Sequence, residues 1–488
     1  MNVPLIIILA ALAVAFGSAI LSRRGVSMNL EQWSIGGRGF SPFLVFVLMA
    51  GEVFTTSALL GASGLAYNSG GAAFSIVIFL TQAFMLSYWL LPAVWKFASK
   101  KGLITQPDFF AAKYNSPTLA LLVAVMSLLA LFPYLVLQLK GLGILVQMCS
   151  YGRIAPEWAI LVGAIAMAAY VVASGMHGSA TTAIIKDVMI LVVCVFLGLY
   201  LPFHYYGGLA PMFKELSIAR PGFFALSTTG KSLTWYLSTV FVSSLAVFMW
   251  PHTFSSAYTA RSANHLKRNA VVMPLYTLMQ LFPMLVGVAA VLQIPGLKGS
   301  HADLALLQLS LKTFSPWFIG VIGAAGLLTA LVPSSIMLIS ASSVFSRNVY
   351  GLARPGSSSR EQAKVAKIAT VAFALIAVFL AVHNVESIFA LLVMGYTLVV
   401  QIVPSLFMSF RRENPVNKWG AFVGILLGAG TVAYSVLTGF NLSKLVPGTT
   451  WLADVNMGIA ALLLNVIAMF VVSAITRRYA VGSAAVHG

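Results

Sequence analysis

The stretch over residues 43–70 contains the groups most able to do chemistry, because it places polar side chains inside an apolar run. Glu52 and the triplet Thr55, Thr56 and Ser57 lie in its middle, with glycines on both sides. A carboxylate near the centre of a bilayer costs roughly 3 kcal/mol or more, so such an acid usually faces a cavity or a partner. The pattern predicts a helix broken at these residues, with a binding site at the break. The alternative is a continuous helix whose hydroxyls bond to the preceding turn.

A second interruption, Trp250-Pro251-His252, comes late in the apolar run 233–259. Proline removes a backbone donor and displaces the preceding carbonyl, so a kink or break is expected there. The two runs are predicted to cross the membrane in opposite directions, five helices apart. Two interrupted helices at matching places in antiparallel halves indicate an inverted-repeat transporter.

Two acids, Glu52 and Asp187, are predicted to lie inside apolar helices. Such an acid coordinates a cation, carries a proton or neutralises a lysine, so both are candidates for cation or proton coupling. Lys186 precedes Asp187 and points about 100° away on the helix, so we expect no direct pair and expect Lys186 to reach the inner surface. Lys140 is predicted to be the lysine well inside the membrane. It would pair with Glu52 or Asp187, attract an anionic substrate, or only fix helix packing.

Aromatic and hydroxyl side chains supply the remaining candidates. Tyr134 and Trp250 are predicted to form the wall of a cavity or to serve packing. His252 would contact a carboxylate, move protons or cap backbone freed by the proline. Ser334 and Ser335 lie in a serine-rich run, where hydroxyl oxygens suit a small hard cation such as Na⁺ or bond neighbouring helices.

The composition is that of a polytopic helical membrane protein, since 60% of the 488 residues are hydrophobic and only 8% are charged. Soluble domains carry about 25% charged residues. The net charge of +18 does not indicate a nucleic-acid partner, because Lys and Arg cluster between apolar runs. The sequence shows no nucleotide loop, HExxH motif or Cys/His metal cluster, so an enzyme is not expected.

About thirteen apolar runs are long enough to cross a bilayer. They cover 3–21, 41–67, 72–98, 117–147, 155–175, 180–202, 233–259, 270–293, 316–345, 367–382, 385–409, 418–438 and 456–476. If the N-terminus lies outside, about twenty Lys and Arg residues, such as Arg23 and Arg24, fall on the inner side against seven on the outer side. This bias predicts a multi-pass protein of the cell membrane with the C-terminus in the cytoplasm.

Seven stretches, in this order and spacing, resemble the sodium:solute symporter family over nearly the whole chain. They are SIGGRGFSPF (34–43), SALLGASGLAYNSGG (57–71), ITQPDFFAAKYNSP (104–117), FPYLVLQLKG (132–141), GSATTAIIKDVMILVV (178–193), WPHTFSSAYTARSANHLKRNA (250–270) and SIMLISASSVFSRNVY (335–350). The resemblance implies a leucine-transporter-like, all-α fold of two inverted five-helix repeats. One helix precedes the repeats and two follow them.

The same resemblance implies a division of the chain. Residues 1–40 hold a peripheral first helix and a cytoplasmic loop, and residues 41–415 form the inverted-repeat core. Residues 416–488 hold two peripheral helices and a short cytoplasmic tail. The runs 41–67 and 233–259 become the first and sixth core helices.

A sodium site is also implied by the family. Its backbone carbonyls fall at Gly51 and Phe54, and its acid falls at Asp187. The family's hydroxyl pair falls at Val332 and Pro333, which have no hydroxyl. The nearest hydroxyls belong to Ser334 and Ser335. Coupling to Na⁺ and coupling to H⁺ through Glu52 or Asp187 both remain open, and no other cofactor is expected.

Within the family, the pattern is similar to the monocarboxylate permease branch, although Lys140 departs from it. This similarity implies import of a small organic acid such as lactate or pyruvate, or of alanine. The predicted substrate site comprises Thr55, Thr56, Ser57, Tyr134, Lys140, Trp250 and His252. The alternatives are symport of another solute, such as an amino acid, acetate or pantothenate, and a non-transporting membrane sensor on the same fold.

Overall fold

The computed structural model describes residues 2–22, 24–25, 28–446 and 448–486, with side chains described up to residue 477. Arg23, which was assigned to the inner loops, and the side chains of the predicted C-terminal tail lie outside the described residues. The described part of the chain is helical, and its one β-bridge joins Phe40 to Ala260.

The longer helices, in chain order, are α1 (Val3–Ser22), α2 (Pro42–Val53), α3 (Ala62–Ser69), α4 (Ser75–Lys101), α5 (Gln106–Tyr114), α6 (Pro117–Cys149), α7 (Pro156–Tyr206), α8 (Leu209–Ala219), α9 (Leu233–Ala246), α10 (Pro251–Tyr258), α11 (Ala263–Thr277), α12 (Leu281–Gln293), α13 (Ala305–Thr313), α14 (Pro316–Val344), α15 (Ser359–Val382), α16 (Ile388–Val399), α17 (Val403–Met408), α18 (Lys418–Thr438) and α19 (Met457–Val486). Shorter helices cover Leu30–Ile35, Gly351–Ala353 and Thr450–Ala453. Single turns of 3₁₀ or π helix cover Gly36–Arg38, Ser57–Gly61, Gly70–Phe74, Val247–Met249, Leu278–Gln280, Gly299–Leu304, Phe345–Tyr350, Val400–Ile402 and Leu442–Lys444.

Thirteen membrane crossings can be traced through the described residues. Ten helical stretches are long and apolar enough to cross a membrane, and the bent pair α9–α10 adds one. The α7 stretch of 51 residues counts twice because it reverses at Gly175. The stretch Ser57–Lys101 also counts twice, since its first part completes the crossing begun by α2 and its second part is α4.

The reversal in α7 depends on a glycine. Gly175 has φ 56° and ψ −152°, a backbone conformation that L side chains rarely adopt. A Cβ at this position would also come within 2.7 Å of Trp33 Cδ1 and 2.8 Å of the Trp33 carbonyl. The break falls at the end of the predicted run 155–175, so the sequence located both halves of α7.

Both predicted helix breaks are present. The first follows α2, where Phe54 leaves the helical region with φ −90° and ψ 83° before the π turn at Ser57. The second bends the chain by 48° between α9 and α10. Trp250 is extended there, and Pro251 begins α10, where its missing N–H costs nothing.

The centre of the bundle is α14, which is buried along the whole of its most apolar part. It packs against α2 and α10, which carry the two breaks, and against α1, α6, α7 and α15. By contrast, α18 and α19 pack chiefly against each other. The central position of α14 holds the two broken helices side by side.

Candidate functional site

A cavity lies between the two breaks. Its polar lining comprises Glu52, Ser57, Tyr134, Trp250, His252, Thr253, Gln280 and Tyr396. Its apolar lining includes Met49, Phe79, Leu80 and Phe248. The space open to the centres of water-sized molecules is about 40 Å³, which is room for about three waters.

The first break is held by hydrogen bonds among its own residues and by one bond to α6. Thr55 Oγ1 lies 2.8 Å from Ser57 Oγ and accepts the Ser57 amide at 3.2 Å. The Thr56 amide donates to Gln138 Oε1 at 3.2 Å. These bonds satisfy amides that the interrupted helix leaves without carbonyl partners. The Thr55 and Thr56 side chains are buried behind the cavity, while Ser57 lines it.

Glu52 belongs to the last turn of α2, lines the cavity and is 7% exposed. Ser256 Oγ, on α10, donates a hydrogen bond to Glu52 Oε1. The Glu52 carboxyl group therefore joins the two broken helices at the cavity wall.

Aromatic rings close the other side of the cavity. The Tyr134 ring lies 4.9 Å from the Trp250 ring and 5.6 Å from the His252 ring, measured between centroids. Tyr396 lies 5.7 Å from Trp250. Glycine at position 395 allows α16 to pack closely against Trp250, because a Cβ there would come within 2.6 Å of Trp250 Cη2. The predicted pair Tyr134 and Trp250 thus forms a wall of the cavity.

Several buried polar atoms at the cavity have no hydrogen-bond partner in the described part of the chain. They include His252 Nδ1 and both polar atoms of the Gln280 amide. Buried polar groups are nearly always paired, so orphaned groups around a cavity are those that a ligand can satisfy. Neither Lys nor Arg is among the described lining residues. Besides the Glu52 carboxyl group, the cavity therefore offers neutral polar groups without partners and the N-terminus of α10.

Gln280 and Tyr396 are lining residues that the sequence did not identify. Gln280 lies in the 3₁₀ turn between α11 and α12, and it is buried. A lone glutamine in an apolar run is a visible signal, since an amide in the membrane needs a partner.

Lys140 is not the most deeply buried lysine, and it pairs with neither Glu52 nor Asp187. Its Nζ donates to the Glu386 carbonyl in the loop before α16, and its side chain is only half-buried. The reason is that α6 runs on to Cys149, which places Lys140 beside that loop. It does not line the cavity, and its role in substrate binding stays a prediction.

An ionic cluster surrounds Asp303, in the turn Gly299–Leu304 at the predicted outer end. Asp303 Oδ2 accepts the Ile388 amide at 2.9 Å, next to Lys140 and Lys231. Burial raises the pKa of Asp303 to about 7, and the Ile388 amide and the two lysines oppose the rise. Burial also lowers the pKa of Lys231 to about 8.

The prediction that Lys186 does not pair with Asp187 is wrong. Its side chain is fully buried, and its Nζ lies 2.8 Å from Asp187 Oδ1 and donates to the Gly51 carbonyl at 3.1 Å. The 100° offset between neighbouring helical positions separates Cβ atoms, but the flexible lysine stem can bring its amine back to the next residue. Lys186 therefore pairs with Asp187 and does not reach the inner surface.

The other residues of the predicted sodium site are buried and have partners of their own. Phe54 is buried at the end of α2. Ser334 Oγ donates to the Ala330 carbonyl at 2.7 Å, and Ser335 Oγ donates to the Val332 carbonyl at 2.6 Å. Ser335 also lies 2.7 Å from Ser179 Oγ. Of the predicted oxygen donors, the Gly51 carbonyl and the Asp187 carboxylate are brought together, and both contact Lys186.

Known proteins resemble this chain along most of its length. The model of the sodium:solute symporter family matches residues 33–428. YhjB, an uncharacterized symporter of Bacillus subtilis, is 50% identical over 98% of both chains. A monocarboxylate transport permease of Rhizobium johnstonii is 29% identical over 83% of this chain and 82% of its own.

Solved structures confirm the leucine-transporter-like fold. A Na⁺-coupled sialic acid symporter matches with a TM-score of 0.80 and 18% identity over 97% of both chains. MhsT matches with a TM-score of 0.55 and 13% identity over 89% of this chain and 99% of its own. Three of these proteins are named as symporters or as a transport permease, which agrees with the symport of a solute predicted for this chain. The chain belongs to the sodium:solute symporter family.

Proposed function

We propose that the chain imports a small monocarboxylate, such as lactate or pyruvate, together with a coupling cation, by alternating access. The observation that carries the proposal is the small cavity at the meeting point of the two breaks, whose lining includes neutral polar groups without partners. The likeness to a monocarboxylate transport permease supports the same substrate class.

The second break supplies the electrostatics that an anion needs. Pro251 begins α10 and has no N–H, and the amides of Thr253 and Phe254 donate to the Trp250 carbonyl at 3.2 and 3.4 Å. The N-terminus of a helix carries about half a positive charge, and this charge favours a carboxylate. His252 and Gln280 add side-chain donors at the same cavity.

The size of the cavity favours a small substrate. Room for about three waters suits a solute of a few heavy atoms better than a sugar or a peptide. The apolar side chains Met49 and Phe79 can contact a short carbon chain, while the donors hold the carboxylate. This division of the lining is typical of sites that take small organic molecules.

Uptake of labelled pyruvate and lactate into proteoliposomes tests the proposal, with alanine, proline, acetate and pantothenate in parallel. Gln280→Leu should reduce pyruvate transport (kcat/KM) by about tenfold or more, because a hydrogen bond to a charged group contributes about 1.5–3 kcal/mol. The matched control is Gln147→Leu, on a half-buried residue of α6 outside the cavity. Transport of alanine, proline or pantothenate, without pyruvate, lactate or acetate, would overturn the substrate class. Absence of flux for every solute would favour a sensor.

A further inference from the structure

Two half-buried lysines at the predicted outer end of the bundle contact no acid among the described residues. Lys140 Nζ, in the outer part of α6, donates to the Glu386 carbonyl. Lys231 Nζ, in the loop before α9, donates to Ser69 Oγ at 3.1 Å and lies 5.8 Å from the centre of the Trp235 ring. A charge that is partly removed from water is normally paired with an opposite charge. Both amines are held by neutral acceptors instead, so each can still take an anion as a partner.

The carboxylate of Asp303 attracts both amines without forming an ion pair with either in the described residues. Asp303 is only 2% exposed, and its Oδ2 accepts the Ile388 amide at 2.9 Å. Burial raises the pKa of this acid to about 7, so its ionised form is held less favourably here than in water. We call Lys140, Lys231 and Asp303 the outer cluster. It places a poorly stabilised carboxylate beside two cations that other groups hold.

The outer cluster lies about one to two helical turns from the cavity, on its predicted outer side. Lys140 follows Tyr134, in the cavity wall, by six positions of α6, which is about 9 Å along the helix axis. Ile388, whose amide binds the acid of the cluster, precedes the lining residue Leu392 by four positions of α16, or about 6 Å. The same acid packs against Gly64 of α3, where a Cβ would lie 2.7 Å from its Oδ1. A solute that reaches the cavity between α3, α6 and α16 therefore passes the outer cluster.

We propose that Lys140 and Lys231 form a capture site for the monocarboxylate anion on its way to the cavity, and that Asp303 is the internal carboxylate that the substrate displaces from them. This inference rests on the proposed import of a monocarboxylate and deepens it. The described lining of the cavity contains neither Lys nor Arg, so attraction of an anion by side-chain cations must begin outside it. Charged side chains at the mouth of a low-dielectric cleft raise the local concentration and the entry rate of a ligand of opposite charge.

Capture exchanges one carboxylate for another. The Asp303 side chain leaves the Ile388 amide and turns away from the lysines, and the substrate carboxylate takes its place, with an oxygen toward each amine. When the substrate moves on to His252 and Gln280 in the cavity, Asp303 returns and closes the outer side between α3 and α16. The two amines face one carboxylate before and after the exchange, and no covalent bond forms or breaks. A solute without a carboxylate cannot compete with Asp303 in this way.

The test measures pyruvate counterflow into right-side-out membrane vesicles that contain the full-length protein and unlabelled internal pyruvate. Labelled pyruvate then meets only the predicted outer face, at about pH 8, above the pKa of Asp303. In Asp303→Asn, the amide oxygen can still accept the Ile388 amide, but the charge is lost. Lys140→Gln and Lys231→Gln remove one positive charge each, while the corresponding Arg variants keep it. The matched controls, on exposed residues of the predicted outer side, are Lys298→Gln and Glu157→Gln.

We expect kcat/KM for pyruvate to fall about tenfold in Lys140→Gln and in Lys231→Gln at low ionic strength, with kcat nearly unchanged, because the lost charge slows entry. The Arg variants should keep most of the wild-type value. In about 1 M choline chloride the loss should shrink, since charges are then screened beyond about 3 Å. Asp303→Asn should raise kcat/KM by about threefold or more, because the competing negative charge is gone. Both control variants should behave as wild type.

The opposite signs separate capture from a purely structural role, in which loss of any member of the outer cluster would change kcat/KM in the same direction. Changes of equal sign in Asp303→Asn and the two Lys→Gln variants would therefore overturn the inference. Wild-type kcat/KM in both Lys→Gln variants would overturn it as well. Absence of monocarboxylate counterflow in wild type would instead refute the proposed substrate. The same variants would then be measured with the solute that the protein carries: another anion keeps the criteria above, and a neutral or zwitterionic solute would overturn both proposals.

Discussion

Gly141 on α6 is the position at which one added methyl group should disturb the first break most directly. A Cβ at Gly141 would lie 1.8 Å from Thr56 Cγ2 and 3.1 Å from Thr56 Cβ. Ordinary van der Waals contact begins at 3.4 Å, so the two groups must separate by about 1.6 Å. Thr56 is β-branched and buried, and its amide donates to Gln138, which lies on α6 together with Gly141. The Thr56 side chain cannot turn away, so the shift passes to the backbone of the break.

The expected cost of Gly141→Ala has two parts. Overpacking a well-packed core costs about 1–3 kcal/mol of stability. A misplacement of about 1 Å at a site of this kind reduces turnover by about 100-fold. We therefore expect kcat/KM for pyruvate to fall by about 10–100-fold, with a lower Tm in detergent.

The assay is the initial rate of pyruvate counterflow in proteoliposomes, together with Tm. Thr56→Ser removes the methyl group with which the new Cβ collides, so the double variant Gly141→Ala/Thr56→Ser should recover most of the loss. A favourable coupling energy between the two sites is the signature of a direct contact. The control is Gly430→Ala on α18, where nothing lies within 4 Å of the added Cβ. Wild-type transport by Gly141→Ala, or no recovery in the double variant, would refute the reasoning.

Two further predictions concern the frame around the site. Because the folded-state pKa of Asp303 is raised to about 7, its contribution to stability is complete below the unfolded pKa of about 4 and is lost as pH rises through about 7. Wild-type Tm should therefore fall between about pH 4 and 7. Asp303→Asn should flatten that part of the profile, and an unaltered slope would contradict the assignment. Gly287→Ala on α12 should lower Tm more than Gly430→Ala, because its Cβ would lie 2.1 Å from the Ser63 carbonyl oxygen, a backbone atom that cannot rotate away; equal Tm values for these two variants would show that α3 and α12 can separate freely.

The breaks could be predicted from sequence because local chemistry specifies them. Pro251 cannot donate a helical hydrogen bond, and a carboxylate beside three hydroxyls is not explained by lipid contact alone. The bounds of the long helices follow from the same local information: α6 was predicted over 117–147 and observed over Pro117–Cys149.

The side-chain partners could not be predicted in the same way. The position of the Lys186 amine is set by four flexible bonds and by the approach of α2, neither of which is visible in the spacing of residues 186 and 187. Gln280 reaches the cavity because of the 3₁₀ turn that it ends, and that turn depends on tertiary packing. The depth of Lys140 in the membrane was predicted wrongly. An apolar run in the sequence does not show how far its helix extends beyond the hydrocarbon core of the bilayer.

The last turn of α2 connects the buried amine of Lys186 to the proposed substrate site. The carbonyl of Gly51 accepts from Lys186 on α7, while the next residue, Glu52, lines the cavity and accepts from Ser256 on α10. A movement of α7 relative to α2 would alter the bond that holds Gly51, and the peptide unit between Gly51 and Glu52 is rigid. Glu52 must therefore respond when that bond weakens. Because the bond from Ser256 crosses between the two broken helices, its rearrangement would separate them at the cavity. Movement of α7 and opening of the cavity can thus be coupled through a single helical turn, without a long chain of intervening residues.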